Sequence, residues 1–330
     1  MSSFMLVLVI VLALAFDFIN GFHDTANSIA TSVSTRVLTP RAAILMSATL
    51  NFVGALVSVK VAETISSGIV NESLDQHVIA AALFGAIVWN LITWYLALPS
   101  SSSHALIGSL IGAAIVSSGS IKVVCWVNIW DKVIVPLFTS PLIGLVIGFI
   151  FMRFLFIILR PFSQRTVNKY FSKLQILSAA LMAYSHGSND AQKTMGVITM
   201  ALVSNGIISV SDGVPFEVKL ICALSMALGT SLGGWRIIKT VGMNMIRLHP
   251  IGGFAAETSA AAVIQVMTAL GAPVSTTHVI STAIMGVGAS KRITAVNWSV
   301  AFNIIATWFI TIPATILLGA GVTWLFNLFI

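Results

Sequence analysis

The chain has 330 residues, a mean hydropathy of +1.00 and only 8% charged residues, where a soluble domain carries about 25%. Apolar runs of about 18 residues or more recur from end to end, more than a water-soluble core absorbs, so the solvent for this chain is a bilayer. The segments are continuously apolar rather than alternating, which excludes a β-barrel, and none is long or polar enough to be a soluble catalytic domain, which argues against an enzyme. The net charge of +7 is read as setting membrane orientation and not as a nucleic-acid footprint. Cys125 and Cys222 are single and far apart, and suggest neither a disulfide framework nor a metal site.

In chain order, the opening run MSSFMLVLVIVLALAF lacks a basic leader and a small-residue cleavage site, so it reads as a first span and not as a removed signal. Crossings are predicted near 4–33, 41–60, 78–98, 100–118 and 133–158, then near 174–203, 219–234, 254–271, 274–288 and 297–325. The fold class expected is therefore an all-α polytopic membrane protein of ten crossings. The stretches 4–33 and 174–203 would each be about 45 Å long as straight helices, against a hydrocarbon core of about 30 Å. Each is expected to break at its motif, which gives up to twelve helical pieces.

The chain repeats itself. NGFHDTANS at 20–28 aligns with HGSNDAQKT at 186–194, and PSSSSHALIGSLIGAA at 99–114 with PVSTTHVISTAIMGVG at 273–288. The offsets are 166 and 174, a short indel apart. Between the copies, residues 153–173 hold Arg153, Arg160, Arg165, Lys169 and Lys173 and no acid, which makes this joint cytoplasmic. Charge bias flips between equivalent loops. Arg36 and Arg41 in the first copy face Asp212, Glu217 and Lys219 in the second. Glu63, Glu72 and Asp75, with Lys60, face Arg236, Lys239 and Arg247. An odd number of crossings per copy produces that flip. The expected organisation is a first inverted repeat over 1–158, a basic connector over 159–173 and a second inverted repeat over 174–330, with both termini outside.

Inverted repeats with interrupted helices are the pattern of secondary transporters, whose sites form near the midplane. Pro99 and Pro273 suit the start of a new helix, with Ser and Thr behind them as caps. Two helix starts would then aim free N–H groups at one place, an anion site enriched by the hydroxyls of Ser101, Ser102, Ser103, Ser275, Thr276 and Thr277. Ordinary capping accounts for any one of these hydroxyls; the paired arrays are what point to a ligand. Asp24 and Asp190 are intramembrane acids, which mark ion paths. When ionised they only accept hydrogen bonds, so they cannot hold an anion directly; they bind a cation or carry a proton. Lys193 stands where the first copy has Asn27, and pairs with Asp190 or acts as a tethered cation. His104 and His278, like His23 and His186, either orient their surroundings or relay protons. Asn51 links helices or joins the cation path, and Glu257 is an intramembrane acid with no local partner.

GFHDTANS, SHGSNDAQKTMG, PSSSSHALIGSLIG and PVSTTHVIS resemble the inorganic phosphate transporter (PiT) family, and the likeness to bacterial low-affinity phosphate permeases covers essentially the whole chain. The resemblance implies import of inorganic phosphate across the cell membrane by symport with a cation, through a homodimer embedded in lipid, with no cofactor beyond the coupling ion. It puts the family's aspartates on Asp24 and Asp190, its asparagines on Asn27 and Asn189, and its hydroxyl loops on 101–103 and 275–277; Gln192 joins the expected substrate contacts. Sodium-coupled members tend to carry Asn-Asp in both copies, where this chain has His23-Asp24. Many of them also have Asn at the position of Lys193 and Glu at that of Asn51. These departures favour a proton over sodium, with phosphate carried free or as a neutral metal–phosphate complex. Sulfate as substrate, a channel and a Ser/His hydrolase are the alternatives. Against the last, Ser103-His104 and Thr277-His278 are adjacent residues that point apart, whereas a general base must lie within about 3.2 Å of its nucleophile.

Overall fold

The computed structural model describes residues 2–70 and 74–329, so Glu72 lies outside the described residues. The described chain is helical almost throughout: α1 (Ser2–Ser34), α2 (Pro40–Ala55), α3 (Lys60–Gly68), α4 (Gln76–Tyr95), α5 (Ser102–Ser118), α6 (Trp126–Ile129), α7 (Val135–Leu159), α8 (Gln164–Ser204), α9 (Phe216–Leu232), α10 (Trp235–Lys239), α11 (Pro250–Ala269), α12 (Thr276–Lys291) and α13 (Trp298–Phe329). Among the described residues, four helical stretches are long and apolar enough to cross a membrane by themselves: Phe4–Ser34, Gln76–Tyr95, Trp126–Leu159 and Trp298–Leu328. Two bent pairs reach the same standard together: Pro40–Ala55 with Lys60–Ser66, bent by 68°, and Phe216–Leu232 with Arg236–Asn244, bent by 64°. Large apolar side chains such as Leu142, Ile157, Leu317 and Trp324 face outward on α7 and α13, as a lipid-facing surface requires.

The expected break at each motif is not there. α1 runs unbroken for 33 residues and α8 for 41. The motif glycines serve close helix approach instead. A Cβ on Gly21 would collide with the backbone of Met226 and Thr230 on α9, and one on Gly187 with the backbone of Asn51 on α2. In a bilayer, helix association relies on such small-residue contacts, because lipid is as apolar as the side chains. The first turns of α8 are polar and carry Arg165, Lys169 and Lys173. Ser163 caps it by accepting from the Thr166 backbone N–H at 3.2 Å. Most of the expected connector is thus helix. The bends fall instead at 56–59 and 233–234, where the backbone leaves helical geometry at Val59 and Gly233.

The packing is reciprocal. α1 lies against α9 and α8 against α2; α7 lies along α12 and α13 along α5; α4 pairs with α5 and α11 with α12. Each motif helix therefore packs on an element from the other part of the sequence. Basic loops gather at one end. Thr35 donates to Gln175 Oε1 at 2.8 Å, which sets the Arg36 loop beside the start of α8. Arg160, Arg247, Lys291 and Arg292 line a shared cavity of about 770 Å3. At the other end Asp212 accepts from the Ser209 backbone N–H at 2.8 Å, which holds this exposed carboxyl below the usual carboxylate range.

Candidate functional site

The site forms where the first turns of α5 and α12 meet the middles of α1 and α8. Each short helix starts the same way. Ser101 is extended, caps α5 and accepts from the His104 backbone N–H at 3.2 Å; Ser275 caps α12 and accepts from the His278 backbone N–H at 3.3 Å. The cap fixes which hydroxyls face inward. Thr277 donates to Asp24 Oδ1 and Ser102 to Asp24 Oδ2, both at 3.3 Å, and Thr276 donates to Asp190 Oδ2 at 3.0 Å. Asn27 Nδ2 donates to Thr277 at 2.8 Å and to Thr276 at 3.3 Å. Ser103 donates to the Val274 carbonyl at 3.2 Å, joining the two helix starts directly. Asp24 is 3% exposed and Asp190 1%, so both acids are buried.

The two acids have different neighbours. His23 Nδ1 lies 2.7 Å from Asp24 Oδ1, and its Nε2 lies 3.0 Å from the Thr93 hydroxyl, which in turn accepts from Ser100 at 2.9 Å. Asp190 accepts from the Lys193 ammonium, which also donates to the Val274 carbonyl at 3.2 Å. His186 Nε2 lies 3.1 Å from Asp190 Oδ2, and its Nδ1 reaches Asn51 Oδ1 at 3.1 Å. Asn51 donates to Thr230 at 2.9 Å, so it stands one layer behind His186. The ligand atoms of Asp24, His186 and Asp190 lie within 4.8 Å of one another and could hold a cation, although the Lys193 ammonium already faces one oxygen of Asp190.

Several expected site residues are elsewhere. Gln192 Oε1 accepts from the backbone N–H groups of Val61 at 2.8 Å and Ala62 at 3.4 Å, and its amide donates to the Ser188 carbonyl. It caps α3 and is turned away from the acids, because the bend before α3 leaves N–H groups without helical partners. Asn189 donates to Thr268 at 2.8 Å and to the Ala272 carbonyl at 3.4 Å, bracing the turn that precedes α12. Glu257 does have partners: Thr31 of α1 and Ser178 of α8 both donate to it, two turns of α1 away from Asp24. His104 and His278 do not reach the acids. Their rings lie 5.0 Å apart, and His278 stacks on Trp308 at 4.0 Å. Sequence reasoning missed Thr93, Thr230 and Trp308, which meet the site only through tertiary packing.

A family model described as the phosphate transporter family matches residues 20–319. A probable low-affinity inorganic phosphate transporter of Bacillus subtilis (strain 168) is 48% identical over 98% of this chain and 97% of its own length. Its namesake in Rhizobium meliloti (strain 1021) is 46% identical over 96% and 95%. A solved structure described as the sodium-dependent phosphate transporter superposes with a TM-score of 0.85 at 25% identity, covering 99% of this chain and 100% of that one. The chain is a multi-pass membrane protein, and it belongs to the phosphate transporter family.

Proposed function

We propose that the chain imports inorganic phosphate, free or as a neutral metal–phosphate complex, by symport with a cation, the proton in preference to sodium. The observation that carries this reading is the convergence of two hydroxyl-rich helix starts on two intramembrane acids in one buried network. Helix N-termini and hydroxyl donors suit a tetrahedral oxyanion. The acids supply the counter-charge. Ser102 and Thr277 donate to Asp24; a proton or other cation on Asp24 would weaken these bonds and let the hydroxyls turn to phosphate. Substrate and cation then bind together for a local electrostatic reason. The phosphate-transporter names of the relatives support the substrate.

The proton is favoured because Lys193 already neutralises Asp190, which leaves one fewer negative group for a metal ion. Sodium is the second reading. The close approach of Asp24, His186 and Asp190 and the name of the structural relative speak for it. The reciprocal packing supports two inverted-topology repeats, 1–158 and 174–330; the basic connector at 159–173, ten crossings and both termini outside follow from the charge and hydropathy pattern of the sequence. One repeat would rock against the other around the helix starts. The working form would be a homodimer in the cell membrane.

The test is phosphate uptake into proteoliposomes with proton and sodium gradients imposed independently. Uptake should follow the proton gradient and saturate, and sulfate should compete poorly, because it has no proton to donate near neutral pH. Uptake tracking sodium at clamped pH would overturn the choice of ion. Equal competition by sulfate would overturn the choice of substrate.

A further inference from the structure

Asp17 is an acid in the apolar stretch of α1 that the site above does not use. It stands seven residues before Asp24 and is 0% exposed, and among the described residues no donor meets hydrogen-bond geometry with either carboxyl oxygen. Asn20 lies one turn on, on the same side of the helix, equally buried and with both side-chain polar atoms unpartnered. Thr194 of α8 faces the Asp17 carboxyl, close enough to interact but outside hydrogen-bonding geometry, and its hydroxyl also lacks a partner. Two carboxyl oxygens, an amide oxygen, an amide nitrogen and a hydroxyl are therefore left over in one buried layer. Buried polar atoms are otherwise nearly always paired, and an uncompensated carboxylate in a membrane interior is expensive.

The aligned layer of the other copy differs: Asn20 falls on His186, whose Nδ1 reaches Asn51 Oδ1 at 3.1 Å, and no acid stands at the place of Asp17. At the offset of 166 that takes Asp24 to Asp190, Asp17 falls on Ala183 and Thr194 on Ser28. The Ser28 hydroxyl donates to the Thr25 carbonyl at 3.1 Å and bonds Ser47 at 2.7 Å. Helix packing at this level thus needs no acid; Asp17 is an addition. Among the described residues, the charged or titratable groups that act on it are Lys193 and Asp190 of α8 and Cys222 of α9, and Lys193 is already held by Asp190.

We propose that Asp17, Asn20 and Thr194 form a second cation site, for a hard monovalent cation (proton or sodium), two turns of α1 away from the phosphate-binding helix starts. A carboxylate, an amide oxygen and a hydroxyl are hard donors of the kind such cations take. The inference rests on the reading of the chain as a cation-coupled phosphate carrier, and it adds a second counter-charge to the one carried at Asp24.

The test uses the full chain carrying Asp17→Asn, with Thr194→Val as a milder variant. In the first arm, purified protein without phosphate is melted across a series of sodium concentrations at fixed pH, and across a pH series without sodium. The unsubstituted chain should show a cation-dependent shift in Tm in one series, which names the occupant. Asp17→Asn should lose that part of the shift, and Thr194→Val should weaken the apparent cation affinity at least about tenfold. In the second arm, gradient-driven phosphate accumulation in proteoliposomes should fall at least about tenfold in Asp17→Asn and recover in Asp17→Glu. Unaltered Tm shifts in both variants would overturn the site. So would unaltered accumulation in Asp17→Asn. The first arm needs no phosphate, so it judges the site even if the unsubstituted chain carries no phosphate at all.

Discussion

Asp24 and Asp190 occupy matching places in the two motifs, yet only one of them has a fixed partner charge. Asp190 is clamped by Lys193, with His186 and Asn51 stacked behind it. Asp24 is held by His23 and by hydroxyls from both short helices. On the function proposed above, the difference would divide the labour: Asp190 carries a paired ammonium, whereas Asp24, held by hydroxyls and an imidazole, would be the acid that exchanges the coupling cation. The two motifs align at Asp24 and Asp190, and their neighbours differ at several places: Lys193 stands where the first motif has Asn27, His23 where the second has Asn189, and His186 where the first has Asn20.

The largest expected effect comes from Asp24→Asn, which removes the exchangeable charge. Gradient-driven phosphate accumulation in proteoliposomes should vanish while the protein still inserts into the membrane. Normal accumulation would end the division of labour. Next is Asp190→Asn, which strands the Lys193 ammonium in a buried site. Breaking such a pair costs about 3–5 kcal/mol, and thermal or denaturant unfolding should register it. The double variant Asp190→Asn with Lys193→Gln should regain most of that stability; if it is as unstable as the single variant, the pair is not what holds Asp190. Thr277→Val comes third. It removes a donor to Asp24 and one partner of Asn27, and should cost about 1–3 kcal/mol of binding, read as a raised KM with the protein folded. The smallest effect belongs to Gln192→Ala, which removes the cap of α3. A cost of about 0.5–2 kcal/mol in stability with an unchanged KM would separate it from the residues around the acids.

Several features were legible in the sequence because they are written in composition or local spacing. Helix positions follow from apolar runs bounded by Pro and Gly. The starts of α5 and α12 follow from a proline ahead of serine and threonine, since caps act over three residues. The pairing of Lys193 with Asp190 is an i, i+3 contact that a helix brings together unaided. Less legible were the motif glycines. A glycine permits a break and equally permits close contact, and only the presence of α9 and α2 beside α1 and α8 selects contact. Glu257 looked solitary for the same reason: Thr31 and Ser178 are more than 75 residues away in sequence.

The sequence by itself determined the solvent, most helix positions and the residue types gathered at the site, because hydropathy and helical periodicity are properties of neighbours along the chain. Tertiary structure alone decided that Thr277 serves Asp24 while Thr276 serves Asp190, that Gln192 caps a helix, and that Asp17 faces Thr194 without a hydrogen bond in good geometry among the described residues. Those outcomes depend on which helix faces which across the bundle. Inside a membrane, close packing and the pairing of polar groups set that arrangement, and neither is local in sequence.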